Sequence, residues 1–536
     1  MQVNVTRKKT VFSPDSSRVI ARFLYLNDER AADIIKKVLA MPEKSANTVM
    51  SQLLRKYATR HRNISRVFEK HFEKLTHVFE KIGVNPKNLS MTQKALIGSY
   101  FTMEYSIESA AFFNPSMVEH PDQSEVRSGE KRVVISFRAT GEGHISSLVF
   151  RKAVLDKNNN LIVEPVGKML AEADKIIYNI YDKKSFRKKL CAIQARLNII
   201  SPVMAVDIAE MKDSEAVIPS VILGDHEDKK CHGKIISSDF ILDKLEDKFT
   251  YSELMQELEL SLKDPDITED QLKILNIMMS LACEHYEIHF SIDSSISERV
   301  IFPISATEQG GIEDARFVKF MDDNGEVTYF ATYTAYDRMT ILPKLISTTD
   351  FYNFKILPIN GEIALNKGMA LFPRKINGKY AMLCRIDGFN NYIAYSNSIN
   401  LWHDAKMIEQ PKYPWEFVQI GNAGSPIETK EGWLIITHSV GPMREYNLGA
   451  SLYELDNPEI EIGRLAQPLM VPNENEREGY VPNVIYSCGS MVHDDDLIIP
   501  YAMSDHSSTY ATVNLKELLT ALKANGNKNN GSGNNK

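Results

Sequence analysis

The second half of the chain consists of many short stretches in which apolar or β-branched residues alternate with polar ones. Beyond residue 298 they include VTYFATYTAY, GKYAMLCRID, GWLIITHS and DLIIPYAM, and the turns between them include DDNGE, INGK, KEGW and HDDD. A period of two predicts strands with one buried face. Even spacing with Gly and Asp turns indicates an antiparallel sandwich, barrel or propeller, and residues 316–515 are enough for about three to four propeller blades.

The rest of the chain divides by periodicity. DERAADIIKKVLAM and NISRVFEKHFEKLTHVFEKIG space their apolar residues like helices, which predicts a helical N-terminal extension over 1–95. Alternating patterns in 96–165 predict the first part of the β-domain. Stretches with helical periodicity, such as SFRKKLCAIQARLNII and YSELMQELELSL, predict a helical insertion over 166–290. Residues 291–520 hold the remaining strands. The polar, low-complexity residues of 521–536 predict a disordered tail.

Composition narrows the functional class. At 536 residues the chain is too long for one ordinary core, and its 43% hydrophobic and 25% charged residues are typical of a globular protein. A net charge of −7 argues against a nucleic-acid partner. An apolar run of membrane-spanning length and a signal peptide are both missing from the sequence, so we expect no membrane association. The scattered cysteines and the absence of a metal-ligand pattern favour a cytoplasmic protein without a metal or cofactor.

One cluster, GGIEDARFVKF at 310–320, places two acidic residues and an arginine directly after a glycine pair. Glu313 and Asp314 are adjacent carboxylates after a glycine pair, and Arg316 follows at the start of an alternating stretch. Two neighbouring acids at the mouth of a strand are unfavourable unless they are solvated or serve as catalytic groups. The residues alone leave both interpretations open.

Several segments together resemble glycoside hydrolase family 130. They are FFNPSMV (112–118), SFRATGEGHISSLVFR (136–151), GGIEDARF (310–317), YFATYTAYD (329–337), NKGMALFPRKINGKYAML (366–383), GSPIETKEGWLIITH (424–438), YNLGASLYELDNP (446–458) and EGYVPNVIYSCG (478–489). That family consists of mannoside phosphorylases and some β-mannosidases on a five-bladed β-propeller. The resemblance covers about 110–160 and 298–515 and therefore implies a mainly β chain, a five-bladed propeller with an α-helical N-terminal extension and an α-helical insertion.

The resemblance assigns the catalytic role to Asp314, which matches the aspartate of the family's Glu-Asp-Pro-Arg motif; here Ala315 replaces the proline. In the family this acid passes its proton to the leaving oxygen through a sugar hydroxyl. If inorganic phosphate is the nucleophile, one essential carboxylate and a cationic phosphate site suffice. A hydrolase needs a second carboxylate to activate water. Glu478, in NENEREGY, is the candidate for that role.

Basic residues from different strands would have to bind the phosphate. By resemblance Lys367 and His438 match two phosphate-binding positions of the family. A third position, which is Lys or Arg in the phosphorylases, is Gln419 here. Arg444, close to His438 in sequence, is the candidate to replace the missing charge.

The resemblance also predicts the residues that bind the mannosyl unit. Pyranose hydroxyls need paired donors and acceptors, which carboxylates, amides and guanidinium groups supply. The expected sugar-binding residues are Asn114, Arg138, Glu313, Arg316, Tyr336 and Asp505.

Three functions are compatible with these residues. The first is a phosphorylase that inverts the anomeric centre and converts a β-mannoside or mannooligosaccharide plus inorganic phosphate, as co-substrate, to α-mannose 1-phosphate. The second is an inverting β-mannosidase, with Asp314 or Glu313 as acid and Glu478 as base; Gln419 favours it. The third is a non-catalytic glycan-binding propeller, which would not need Lys367. The helical additions are candidate surfaces for a homo-oligomer.

Overall fold

The computed structural model describes residues 3–187 and 237–530, apart from positions 168, 179, 185 and 339, together with residues 190, 191 and 194. The described chain is mainly β, as the alternating stretches predict. Its helices are α1 (Asp28–Leu39), α2 (Glu43–Tyr57), α3 (Ile64–Glu73), α4 (Thr76–Lys81), α5 (Met91–Tyr100), α6 (Asp239–Leu242), α7 (Tyr251–Leu262), α8 (Glu269–Cys283) and α9 (Leu515–Asn530). Within the described residues, no helix is long and apolar enough to cross a membrane.

The described strands form five antiparallel groups. The first group is β4 (Ala111–Glu119), β5 (Lys131–Thr140), β6 (Ser146–Leu155) and β7 (Leu161–Val163). The second group is β13 (Gly311–Met321), β14 (Val327–Tyr336), β15 (Ile341–Thr348) and β16 (Asn353–Pro358), extended by β11 (Tyr286–His289) and β8 (Lys175–Tyr178). The short strand β12 (Val300–Ile301) pairs with β6. Gly311 pairs in parallel with Ser146, so the first two groups form one continuous sheet.

The remaining groups follow along the chain. The third group is β17 (Ala370–Leu371), β18 (Tyr380–Cys384), β19 (Asn391–Ser396) and β20 (Ala405–Glu409). The fourth group is β21 (Gln419–Asn422), β22 (Ile427–Thr429), β23 (Gly432–Val440), β24 (Tyr446–Tyr453) and β25 (Glu461–Arg464). The fifth group is β26 (Ile485–Tyr486), β27 (Met491–His493), β28 (Asp496–Met503) and β29 (Ser507–Asn514), completed by β1 (Val5–Arg7). Two further pairs join β2 (Val19–Phe23) with β3 (Thr102–Ser106) and β9 (Ile180–Asp182) with β10 (Lys248–Thr250).

The N-terminal segment is not helical throughout, which corrects the boundary at residue 1. Strand β1 pairs antiparallel with β29, with Val5 opposite Val513, and β2 pairs with β3. A strand of three residues is too short to show a period of two, so the sequence pattern misses it. From Asp28 onward the prediction of helices agrees with α1–α5, which enclose their own buried apolar cluster.

The segment predicted as a helical insertion also contributes to the sheets. Strands β8 and β11 pair with each other, and β11 pairs with β16, so this segment begins and ends at the edge of the second group. Helices α6–α8 lie between them in the sequence and pack around Leu254, Leu258 and Met278. Most of the predicted helix SFRKKLCAIQARLNII falls outside the described residues.

The predicted tail starts too early. Helix α9 continues from Leu515 to Asn530, and its residues Leu518 and Leu522 are fully buried against the fourth and fifth groups. The apolar residues of this helix recur at helical spacing, and burial of that face stabilises the helix despite the polar residues that follow. Residues 531–536 lie outside the described part of the chain.

Candidate active site

Two β-bulges carry the central polar residues. The pairing of β4 with β5 shifts register around Asn114, and the pairing of β13 with β14 shifts around Asp314. Both residues have left-handed backbone conformations, with φ of 50° at Asn114 and 54° at Asp314. Asn and Asp adopt this conformation more readily than other residues with a Cβ. A bulge redirects side chains, and here it brings these two together.

Asp314 is a buried carboxylate surrounded by donors. Its Oδ1 accepts a hydrogen bond from Asn114 Nδ2 at 2.7 Å and lies 3.5 Å from Arg138 Nη1. Burial alone would raise the pKa of Asp314, but the charges of Arg138 and Arg316 and the Asn114 hydrogen bond hold this pKa below its ordinary value. Asp314 is therefore ionised near neutral pH when no further charge is bound beside it.

Glu313 binds both Arg138 and Lys367, and Lys367 precedes the first strand of the third group. Arg138 Nη2 donates to Glu313 Oε1 at 2.7 Å, and Lys367 Nζ donates to Glu313 Oε2 at 3.3 Å. Arg138 is oriented by Ser146 Oγ, which accepts from its Nε at 2.9 Å. The structure thus brings together Asn114, Arg138 and the two acids, which lie up to 200 positions apart in the chain.

A second cationic layer also lies next to Asp314. Arg316 Nη2 donates to Tyr486 Oη at 2.8 Å, and Arg385 Nη1 donates to His438 Nε2 at 3.1 Å. Tyr486 and His438 pack together, with ring centroids 4.8 Å apart. Arg316 Nε and Arg385 Nε are buried, and no acceptor in the described part of the chain hydrogen-bonds to either. Buried donors of this kind favour an anionic ligand.

His438 is neutral, which corrects the expectation that it supplies positive charge. Burial lowers the pKa of His438 well below its ordinary value, and the charges of Arg385 and Arg316 lower it further. Its Nδ1 lies 2.9 Å from the carbonyl oxygen of Asn422, which can only accept, so the proton is on Nδ1 and Nε2 accepts from Arg385. His438 therefore orients the guanidinium of Arg385.

Gln419 lies close to this layer. A Cβ at Gly421 would lie 2.8 Å from His438 Cε1 and 3.3 Å from Arg385 Cδ, so the glycine permits their close approach to β21. Because side chains two residues apart on a strand share a face, Gln419 projects from β21 on the side of His438 and Arg385.

Asp505 and Arg444 lie on neighbouring turns at the edge of the site. Asp505, in the turn between β28 and β29, has a φ of 51°. Burial raises the pKa of Asp505 to about 6; Arg138 opposes the shift, Asp314 adds to it, and Arg444 opposes it. Arg444 is exposed on the turn between β23 and β24, and its charge acts on Asp505; its role in phosphate binding stays a prediction.

Two further predicted residues, Tyr336 and Glu478, lie on other elements of the chain. Tyr336 ends β14 opposite Gly311, and its hydroxyl donates to the Arg338 carbonyl oxygen at 3.2 Å. Glu478 is exposed on the segment between β25 and β26. The hydrogen bonds and ion pairs of the described chain do not connect Glu478 to Asp314, so its role as a base remains a prediction.

Sequence reasoning missed Arg385, Tyr486 and Asn422. Arg385 lies within the predicted strand GKYAMLCRID and Tyr486 within the segment EGYVPNVIYSCG, where a lone polar residue is usually solvated. In the structure, Arg385 directly follows β18, and Asp505 follows β28 after one intervening residue, so both lie at strand ends. Within the described residues, no group of three or more His, Cys, Asp or Glu side chains could hold a metal ion.

Comparison with known proteins identifies the scaffold. Residues 271–524 match the model of glycoside hydrolase family 130, described as beta-1,4-mannooligosaccharide phosphorylase. A 1,2-beta-oligomannan phosphorylase of Thermoanaerobacter sp. (strain X514) is 36% identical over 216 residues, which are 39% of this chain and 71% of the relative. The chain belongs to glycoside hydrolase family 130.

Two further family 130 relatives differ in the linkage that their names state. The Beta-1,2-mannobiose phosphorylase of Listeria innocua serovar 6a is 30% identical over 245 residues, 44% of this chain and 66% of the relative. The Beta-1,4-mannooligosaccharide phosphorylase of Ruminococcus albus is 30% identical over 177 residues, 31% of this chain and 53% of the relative. The match to the family 130 model starts at residue 271, yet Asn114 and Arg138, which contact Asp314, precede it. Both parts of the chain therefore form the site.

Proposed function

We propose that this family 130 enzyme is an inverting phosphorylase that converts β-mannosides and phosphate to α-mannose 1-phosphate. The observation that carries the proposal is the layer of Arg316 and Arg385 next to the Asp314 carboxylate, with a buried N–H on each guanidinium that has no acceptor in the described chain. Phosphate supplies acceptors and about two negative charges, which match these donors. The names of the three relatives support the same reaction.

In the proposed reaction, a phosphate oxygen attacks the anomeric carbon as the bond to the leaving sugar oxygen breaks. Asp314 supplies the proton, through a hydroxyl of the substrate, to that oxygen. The low pKa of Asp314 depends on Arg138 and Arg316. A phosphate dianion beside Arg316 offsets part of that positive charge and so raises the pKa of Asp314. Phosphate binding thereby favours protonation of the acid that the reaction needs.

The proposed phosphate site differs from the one expected from sequence. Arg316, Arg385 and Lys367 provide the charge, and His438 holds Arg385 in place as a neutral acceptor. Arg316 was expected to bind sugar, but its position beside Tyr486 and near His438 fits the phosphate better.

The proposed mannosyl site is formed by other residues around Asp314. Asn114, Arg138 and Asp505 present an amide, a guanidinium and a carboxyl group that can pair with adjacent sugar hydroxyls. Because Glu313 holds Arg138 at 2.7 Å, it serves here to orient that arginine.

We also propose that the five antiparallel groups are the five blades of a propeller. Each group has about four strands, which is the usual size of a blade, and residues of four groups and of connections between them meet around Asp314. Strand β1 in the fifth group supports closure, because it joins the start of the chain to the last blade.

Product analysis tests the proposed reaction. Purified protein is incubated with β-1,2-mannobiose or β-1,4-mannobiose, with and without 10 mM phosphate (roughly saturating for a co-substrate with a millimolar dissociation constant). We expect α-mannose 1-phosphate only when phosphate is present. Free mannose formed at a rate that does not depend on phosphate would instead identify the β-mannosidase, and Glu478→Gln would then be the variant to examine.

A further inference from the structure

A fully buried charged cluster lies behind the strand that carries Asp314. Glu308 and Lys344 have no exposed side-chain surface, and Lys344 Nζ donates to Glu308 Oε1 at 3.0 Å. Tyr333 Oη donates to Glu308 Oε1 at 2.6 Å, and Tyr286 Oη donates to Oε2 at 2.9 Å. Glu308 also accepts from the backbone N–H groups of residues 304 and 305. Five donors therefore bind the Glu308 carboxylate, and these hydrogen bonds compensate the free-energy cost of burying the ion pair.

This cluster is connected directly to the catalytic bulge. In the pairing of β13 with β14, Glu313 lies opposite Thr334 and Arg316 lies opposite Thr332. Tyr333 is therefore the single residue that faces Asp314 and its neighbour across the bulge. On the other side, Tyr333 pairs with Lys344 of β15. The hydroxyl of Tyr333 thus links the bulge to a fixed charge in the core.

The first group contains the same kind of bulge, but its buried charges are arranged differently: Glu108 binds Arg18 and Arg151, and the Arg151 guanidinium lies over the ring of Phe112. Around Asn114 the register shifts between Phe113 and Ser116, so the single opposing residue is Phe137. Phe137 is buried and stacks on Phe112, with ring centroids 4.2 Å apart. An apolar ring is therefore enough to form the bulge. Of these two bulges, only the one that carries the acid is faced by a tyrosine whose hydroxyl binds a buried ion pair.

We propose that Tyr333, held by Glu308 and Lys344, is a positioning residue that fixes the Asp314 carboxylate for proton transfer. Rotation or slippage of the bulge would move Asp314 away from Asn114 and from the substrate hydroxyl, and small displacements of a catalytic group lower the rate strongly. Tyr333 does not touch the substrate in this proposal. The inference rests on the proposed role of Asp314 in β-mannoside cleavage.

The test compares two tyrosines that bind the same carboxylate. Tyr333→Phe reproduces the arrangement at Phe137 and should fold. We expect kcat to fall by about ten- to a hundredfold while KM for the mannoside and for phosphate stays within about twofold. Tyr286→Phe removes the other hydroxyl from Glu308, but it lies on β11 and not opposite the bulge. It should lower the melting temperature similarly and keep kcat within about twofold of the wild type.

Crystal structures of both variants give a readout that does not depend on the reaction. We expect the Asp314 carboxylate to leave its hydrogen bond with Asn114 in Tyr333→Phe and to keep it in Tyr286→Phe. An unchanged kcat and an unchanged Asp314 position in Tyr333→Phe would overturn the proposal, as would equal losses of kcat in the two variants. If the wild type releases mannose, the phosphorylase assignment fails, but the same comparison on the hydrolytic rate and on the carboxylate position still decides the role of Tyr333.

Discussion

At the scale of single residues, the site depends on Asp314 as the source of the proton. Asp314→Asn keeps the shape and the contact with Asn114 but cannot donate a proton, so kcat should fall by about three orders of magnitude or more. The measurement is the initial rate of mannose 1-phosphate release. Asp323→Asn, in an exposed turn of the same hairpin, is the matched control and should be fully active. A rate of one tenth of the wild type in Asp314→Asn would refute the assignment.

The raised pKa of Asp505 predicts a dependence of stability on pH. The folded protein holds a proton on Asp505 up to about pH 6, whereas the unfolded chain releases it near the ordinary pKa of 3.8. The folded state is therefore destabilised as pH rises from about 4 to about 6, and the loss is complete above that range. Asp505→Asn has no charge to bury, so it should gain about 1–3 kcal/mol in free energy of unfolding at pH 8 and nothing at pH 4.

Denaturant titrations at the two pH values measure this difference. Asp494→Asn is the control, because Asp494 has the same φ of 51° but an exposed side chain. Equal effects of Asp505→Asn at pH 4 and pH 8 would contradict the burial of this carboxyl group.

Gln419 is the residue at which the phosphate site can be strengthened. It lies on the side of β21 that faces His438 and Arg385. A lysine there adds an ionic hydrogen bond worth about 1.5–3 kcal/mol, so Gln419→Lys should lower KM for phosphate by roughly ten- to a hundredfold. Gln52→Lys, on α2, makes the same change of charge elsewhere and should leave KM unchanged. If both variants behave alike, Gln419 does not contribute to the phosphate site.

At the scale of strands and helices, alternation predicted the regular elements well and their irregularities poorly. VTYFATYTAY coincides with β14, and GWLIITHS lies entirely within β23, which is one residue longer. The bulge at Asp314 is recognised only in the structure. Ile312 and Ala315 are both buried there, although two residues an odd number of positions apart would face opposite sides of a regular strand. A turn interrupts the alternation of buried and exposed residues in the same way, so a single sequence does not distinguish a bulge from a turn.

The short strand β1 makes a testable contribution to the fifth group. Arg7 donates from two nitrogens to Glu476, at 2.9 and 3.2 Å, and Glu476 is buried beside Tyr501. Arg7→Ala leaves that carboxylate with one cation fewer and should lower the free energy of unfolding by about 1–3 kcal/mol. Chemical denaturation of Arg7→Ala and of the exposed control Lys9→Ala measures the effect. A loss below about 0.5 kcal/mol would show that β1 is held by its backbone alone.

At the scale of the whole molecule, the mainly β class and the residues around Asp314 could be predicted, whereas the convergence of distant segments could not. The site combines residues from different groups: Asn114, Asp314, Arg385 and Asp505. The residues next to Arg385 in the sequence do not indicate which other segment it contacts. The long insertion does not separate the parts of the site, because Ser146 and Gly311 pair directly. Loop-closure entropy grows slowly with length, so a connection of this size is tolerated.

The pairing of β1 with β29 has a consequence for the order in which the protein is made. A ribosome that adds about 5–20 residues per second completes β29 roughly 25–100 s after β1 has been synthesised. During that interval β1 has no partner, and an unpaired strand can pair with another nascent chain. Its three residues, VTR, are followed by Lys8 and Lys9, so the unpaired strand is short and carries several positive charges at one end. These charges disfavour pairing of β1 with another chain until β29 has been synthesised.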